Sequence, residues 1–223
     1  MSNNAMKLEV SKKLSQFDNN IEYGFCNKST KMSIYHKIIT LKQVHSKLVQ
    51  RVDSNTDCTN LQGDALITDT PGVLIGIYTA DCVPVLLYDK SKSVIGAVHA
   101  GWRGTFSDII SETITAMKSC YNSDPEDIIS VIGPCIGLCC FEVDGDVATK
   151  FIEKYEETDS FIYPNGEKYM MDLAQINKQS LKHTGVSNIE VIEICTKCDL
   201  GYHSFRREGA GVGRQLSFIG IKI

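Results

Sequence analysis

The chain has no long hydrophobic run, no cluster of basic residues, no linker rich in proline, glycine or serine, and no internal repeat. Each absence removes a class of protein. The longest apolar stretch, residues 73–88, is interrupted by Asp81 and Pro84 and falls short of the roughly 20 apolar residues that a membrane-spanning helix needs. A formal net charge of −4 without a basic patch argues against a surface dedicated to nucleic acid. With no shift in composition to mark a boundary, residues 20–223 read as one domain, preceded by an N-terminal segment of residues 1–19. Residues 1–6 are set aside as an added tail. The N-terminus carries Lys7 and lacks the apolar core of an export signal. The nine cysteines are odd in number, and Cys139 and Cys140 are adjacent, which does not suit a disulfide framework. A reducing, cytoplasmic setting is the expectation.

What the chain does have is core material, with 43% hydrophobic residues over 223 positions. Short β-branched runs at residues 64–68, 73–79, 83–88 and 94–99 are separated by turn residues and read as strands in antiparallel or mixed pairing. After Gly104 the period changes: Phe106, Ile109, Ile110, Ile114 and Met117 share one helical face. Asp124-Pro125-Glu126 looks like a helix start, with Asp as cap and Pro at the first position. Val147, Phe151, Ile152 and Tyr155 fit a further helix, and Leu173, Ile176 and Leu181 another, capped by Asp172 and closed by Gly185. Residues 189–194 and 216–223 read as late strands. The expected class is mixed α and β in a single domain.

Three residues stand at or near the ends of expected strands, where a rigid scaffold can hold a side chain against a cleft: His45, Cys82 and His99. Two imidazoles and a thiolate make a three-coordinate metal site with one position open, the pattern of a catalytic zinc. Ligands from separate strands need no fixed spacing, so the spacing alone also allows two hydrogen-bonded histidines and a buried cysteine. Arginine gives a second signal. Lysine outnumbers it 18 to 5, yet Arg103, Arg206, Arg207 and Arg214 all sit close to glycines. Such placement suits bidentate recognition of phosphate or carboxylate, with structural pairing to Asp64, Asp81 or Glu142 as the alternative. Cys195-Thr196-Lys197-Cys198 is a lone CxxC, and Cys135, Cys139 and Cys140 come after Gly133-Pro134. A zinc ribbon needs two such pairs and a C-x3-C-C run is not a knuckle, so packing is the expected role of these cysteines, with a second metal site as the alternative. The zinc deaminase signature is absent.

In chain order these blocks form a pattern: Gln43-Val44-His45, Gly63-Asp64-Ala65-Leu66-Ile67-Thr68, Thr79-Ala80-Asp81-Cys82-Val83-Pro84, and Val98-His99-Ala100-Gly101-Trp102-Arg103-Gly104. Then come Ile132-Gly133-Pro134-Cys135-Ile136-Gly137, Cys140-Phe141-Glu142-Val143, Cys195-Thr196-x-Cys198 and Ser204-Phe205-Arg206-Arg207-Glu208-Gly209. Together they resemble the YfiH-type family, whose members are variously called laccase-domain proteins, multicopper polyphenol oxidases, peptidoglycan editing factors and purine nucleoside phosphorylases. The resemblance runs from about residue 20 to the end. Ser46 departs from the glycine common after the first histidine, and Glu208 from the usual aspartate. The resemblance implies a layered αββα sandwich with mixed sheets, and zinc held by His45, Cys82 and His99.

It also implies phosphorolysis of adenosine, inosine and methylthioadenosine, with adenosine deamination as a side activity. Purine nucleosides and phosphate would then be the partners, and Arg103, Arg206 and Arg207 the candidates to hold the anion. Asp64, Asp81 and Glu142 stand equally as donors of a proton to the leaving base. Copper in the same site, as in a polyphenol oxidase, is the first rival. Five histidines without a His-x-His pair cannot also build a trinuclear copper cluster, because only His36, His183 and His203 remain. The second rival is a cysteine hydrolase acting on cell-wall precursors, with Cys82 as nucleophile and His99 as base. A metal-stabilised interaction protein is the third.

Overall fold

The computed structural model describes residues 8–30 and 38–223; the set-aside tail, Lys7 and His36 lie outside the described residues. The first half contains β1 (Ile21–Phe25), β2 (Ile38–Ile39), β3 (Val49–Arg51), β4 (Ala65–Thr68), β5 (Leu74–Thr79), β6 (Val83–Asp89) and β7 (Val94–Ala100). Then come α1 (Trp102–Phe106), α2 (Ile109–Tyr121), β8 (Ile128–Ile132), β9 (Glu142–Val143) and α3 (Gly145–Lys154). The last part holds β10 (Ile162–Asn165), β11 (Lys168–Met171), α4 (Leu173–His183), β12 (Asn188–Val191), α5 (Phe205–Glu208) and β13 (Gln215–Ile221). No described helix is long and apolar enough to cross a membrane.

The strands pair as a six-stranded mixed sheet, β12-β8-β6-β7-β4-β3, a four-stranded mixed sheet, β1-β13-β5-β2, and a small three-stranded sheet, β10-β11-β9. The two larger sheets face each other. Alternation along the strands fixes this: Leu86 and Tyr88 of β6, Ile95 and Ala97 of β7, and Ile129 and Val131 of β8 join Ile75, Ile77 and Ile219 in the layer between sheets. Their neighbours Val85, Leu87, Val98 and Ile132 point the other way, against Ile110, Ile114 and Met117 of α2 and Ile176 of α4. Because both faces are covered, β6 is buried at every position, and its sequence is mostly apolar up to Asp89 instead of alternating. The fold is therefore mixed α/β, layered, with mixed sheets in one domain, as expected. Leu86, with 0% of its surface exposed, packs at the centre of the inter-sheet layer. Its truncation to alanine should cost about 2–5 kcal/mol of stability in a denaturant titration.

The helix starts obey local chemistry. Asp172 accepts a hydrogen bond from the Gln175 N–H at 2.9 Å and caps α4, and Gly185 at φ +93° ends it. Asp124 caps as well, accepting from the Glu126 N–H, but the segment it caps is only a 3-10 turn, Pro125–Asp127, leading straight into β8. The β-branched run 128–132 favours the strand and stops the helix after one turn.

Register positions the site. Val83 pairs with Ala100 and Pro84 with His99, so Cys82, just before β6, lies beside the end of β7 where His99 projects. His45 reaches the same place from the loop between β2 and β3.

Candidate metal centre and its cavity

The His45 loop has no regular structure, and one buried carboxylate shapes it. Asp64 accepts hydrogen bonds from the backbone N–H groups of Val44 (3.3 Å), His45 (3.0 Å) and Ser46 (2.6 Å), and from the Ser46 hydroxyl (2.7 Å). The same carboxylate meets His99 Nδ1 at 2.8 Å. One side chain thus fixes two of the three candidate ligands. Gln43 secures the loop from the other side, its amide donating to the Tyr78 carbonyl and accepting from the Tyr78 N–H, both at 2.8 Å, as a strand neighbour would. His45 adopts φ +56° and Asp81, beside Cys82, φ +86°, left-handed conformations that non-glycine residues keep only where surrounding contacts hold them.

The ligand atoms of His45, Cys82 and His99 lie within 4.8 Å of one another, and the two imidazole rings meet edge to face. His45 is exposed, Cys82 half-buried and His99 buried, which leaves one side of the group open. Burial would raise the Cys82 thiol, but hydrogen bonds from His45 and His99 bring it down to about 6. Burial would likewise lower His99, but Asp64 and Cys82 push it up to about 9. A thiolate beside two imidazoles, one oriented by a carboxylate on its far nitrogen, is a donor set suited to a borderline-soft metal ion. Close approach is needed too. A Cβ at Gly101 would stand 2.9 Å from His45 Nδ1 and 3.1 Å from Cys82 Sγ, so only glycine lets both ligands converge here.

The group opens into a cavity of about 590 Å³, within the size range of small-molecule sites. Tyr78, Trp102, Phe141 and Phe205 supply aromatic walls, and Arg103, Arg206 and Arg214 supply positive charge. The Arg103 guanidinium lies 4.3 Å from the Trp102 ring centroid, and that of Arg206 lies over Phe141 at 5.3 Å. Arg207 is placed differently. Its guanidinium donates to the carbonyls of Thr196 (2.8 Å), Lys197 (2.7 Å) and Tyr202 (2.5 Å) and pairs with Glu208, outside the cavity lining.

The three acids considered as proton donors are also accounted for. Asp64 is fully buried in the network above. Asp81 lines the cavity, but its oxygens accept from Thr196 Oγ1 (2.7 Å), Ser204 Oγ (3.1 Å) and the Arg206 N–H (2.7 Å). Glu142 faces a neighbouring cavity, where Lys168 pairs with it. Among the described residues, no arginine side chain forms an ion pair with any of the three carboxylates. Sequence reasoning did not find Asp64 as the organiser of both histidines, nor Gly101 as the spacer. The signal was an acid directly before an apolar strand and a glycine two residues after His99.

The sequence matches the family described as multi-copper polyphenol oxidoreductase laccase over residues 8–222. The chain belongs to this family. It is 43% identical over 181 residues to a purine nucleoside phosphorylase of Clostridium acetobutylicum, covering 80% of this chain and 75% of that one. To the purine nucleoside phosphorylase YfiH of Escherichia coli it is 34% identical over 184 residues, covering 82% and 73%. Among solved structures, the hypothetical protein YfiH of Bacillus licheniformis superposes with a TM-score of 0.88 at 28% identity, covering 98% of each chain. YlmD of Geobacillus stearothermophilus gives 0.82 at 28% identity, covering 91% of this chain and 92% of that one. The family resemblance read from the motifs and the layered fold it implied are thus both found. The multi-copper name does not come with further histidine clusters: among the described residues, His183 and His203 join no group of metal-ligating side chains.

Proposed function

We propose that the chain is a zinc-dependent purine nucleoside phosphorylase that cleaves adenosine, inosine and methylthioadenosine to the free base and ribose 1-phosphate or methylthioribose 1-phosphate, with adenosine deamination as a side activity. The observation that carries this reading is the single cavity joining the His45, Cys82 and His99 donors to three arginines and four aromatic walls. Relatives at 43% and 34% identity bear the name purine nucleoside phosphorylase. A divalent ion held by the three side chains would supply a Lewis acid and a water activated near neutral pH, with one coordination position left for substrate.

The chain's own residues do the rest. Arg103 and Arg206 hold hydrogen phosphate so that its oxygen can attack C1′ of the ribose while the bond from C1′ to the base nitrogen breaks, the electron pair leaving with the base and the proton of hydrogen phosphate ending on it. The contacts with Trp102 and Phe141 keep both planar guanidinium forks aimed. Arg206 donates one N–H to the Glu142 carbonyl at 2.9 Å, which fixes its reach. Asp81 holds the helix that carries Arg206 by accepting its backbone N–H. Tyr78 and Phe205 offer ring faces for the purine. The anion-holding role assigned from sequence to Arg103, Arg206 and Arg207 is kept for the first two, because the Arg207 guanidinium is taken up by carbonyls. Residues 20–223 act as the single catalytic domain, in a cytoplasmic setting.

The test is chromatography of adenosine incubated with the protein, with and without phosphate. Adenine and ribose 1-phosphate forming only with phosphate supports the reading, and inosine reports deamination. No product in either arm overturns it. Arg206→Ala should raise the KM for phosphate about tenfold or more with a smaller change in kcat, since a charge-assisted hydrogen bond contributes about 1.5–3 kcal/mol. Arg206→Lys should recover only part of the loss, because the fork is gone.

A second reading rests on one observation: the Cys82 thiol lies within 4.8 Å of a ligating nitrogen of His99, whose Nδ1 meets Asp64, which is also the order of nucleophile, base and orienting acid in a cysteine hydrolase. Chelation separates the two. A hydrolase of that kind keeps its turnover when metal is stripped, and a zinc enzyme loses it.

A further inference from the structure

The expectation that the remaining cysteines simply pack holds for Cys135, which is buried. It does not hold for four others. The thiols of Cys139, Cys140, Cys195 and Cys198 face one another, all within 4.8 Å, at the molecular surface. Cys139 and Cys140 stand on the turn after β8, and Cys195 and Cys198 flank the turn after β12. Cys135 and Cys195 bridge the two loops, with the Thr196 N–H donating to the Cys135 carbonyl at 2.9 Å.

Three sulfur separations bear on what this group can hold. Cys139 to Cys140 is 3.7 Å, Cys139 to Cys198 is 3.7 Å, and Cys140 to Cys198 is 3.4 Å. A disulfide would hold two sulfurs at about 2.05 Å. Four thiolates around zinc at about 2.3 Å are about 3.8 Å apart along each edge of the tetrahedron. The observed values lie near the tetrahedral edge. The backbone supports a thiolate at Cys195: the Gly137 N–H donates to its Sγ at 3.3 Å, and the Cys198 N–H points to the same sulfur. Gly137 is small for a reason, since a Cβ there would come 3.3 Å from Cys195 Cβ and 3.4 Å from Cys139 Sγ. Lys197 and Arg206 share a cavity wall with Cys139 and Cys140 and place positive charge near the cluster.

We propose that Cys139, Cys140, Cys195 and Cys198 form a second, structural zinc site, distinct from the His45, Cys82 and His99 group. Zinc binding turns four thiols into four thiolates, releases up to four protons to solvent and transfers no electrons. Four donors close the coordination sphere, so the site binds no substrate and acts as a clamp between the two loops. The clamp bears on the catalytic cavity through Arg207, which grips the Thr196 and Lys197 carbonyls between the two downstream ligands and belongs to the same helix as Arg206. The site does not depend on the nucleoside reading.

Native mass spectrometry of the full chain, purified without chelator, tests it. The wild type should carry two zinc ions per chain, Cys82→Ala one, and the Cys195→Ser/Cys198→Ser double variant one. A wild type with a single zinc, lost in Cys82→Ala, overturns the proposal, as does a mass showing a disulfide among the four. Should the double variant fail to fold, cobalt(II) added to Cys82→Ala decides. That variant lacks the thiolate of the first site, so thiolate-to-cobalt charge-transfer bands with a tetrahedral visible spectrum must come from the four cysteines. Their absence overturns the site.

Discussion

Cys82→Ala should reduce adenosine phosphorolysis to background while leaving a folded protein. The thiolate is the only anionic donor among the three side chains, and the two imidazoles hold it in the ligating form. Removing it leaves two neutral nitrogens, a set that binds zinc far more weakly. The fold should tolerate the change because Cys82 stands in a turn just before β6 and belongs to neither of the two main core clusters. Assay of released adenine, alongside circular dichroism and bound zinc, checks this. Full turnover in the variant would remove Cys82 from both the metal and the nucleophile readings.

Asp64→Asn is the second large effect expected. The carboxylate makes no contact with the cavity, yet it orients His99 and anchors three backbone N–H groups of the His45 loop. Asparagine can accept on one side only, so part of the loop is released and His99 loses its anionic partner. Loss of such a supporting carboxylate typically costs 10–100-fold in metal affinity or activity, and the same range is expected here. Competition with a chelator of known affinity measures it, and unchanged affinity would contradict the role. A pH effect accompanies it. Burial works against the Asp64 charge, but hydrogen bonds from His99 and Ser46 hold the carboxyl down to about 2, below its ordinary 3.8. A depressed folded-state pKa stabilises the protein above the unfolded value, so this contribution is present above about pH 4 and is lost as pH falls toward 2. It amounts to about 2 kcal/mol. Asp64→Asn should flatten the stability curve in that window.

The readable parts of the sequence were those where local pattern and tertiary burial agree. The apolar runs of β6 and β7, the capped and glycine-terminated α4, and the period change at α2 all declare themselves within a dozen residues. The strands β9, β10 and β11 did not, because Pro164, Asn165 and Lys168 give them little apolar pattern and much of β10 and β11 is exposed. The donors His45, Cys82 and His99 were legible as residue types, and the geometry joins them. What holds His45 was not legible: a loop set by a carboxylate 18 to 20 residues downstream leaves no periodic trace. The four-cysteine cluster was hidden for the same reason, since its halves come from turns 58 and 59 residues apart. Arg207 looked like Arg206 in sequence and differs only in which way its helix turns it.

The most direct test of the account is adenine release from adenosine measured against bound zinc, with and without phosphate. The protein is stripped with chelator and then reloaded in sub-stoichiometric steps. The account predicts turnover that vanishes on stripping, returns in proportion to refilling of the site lost in Cys82→Ala, and requires phosphate at every step. Stripped protein that cleaves adenosine at the full rate, or reloaded protein indifferent to phosphate, would contradict it.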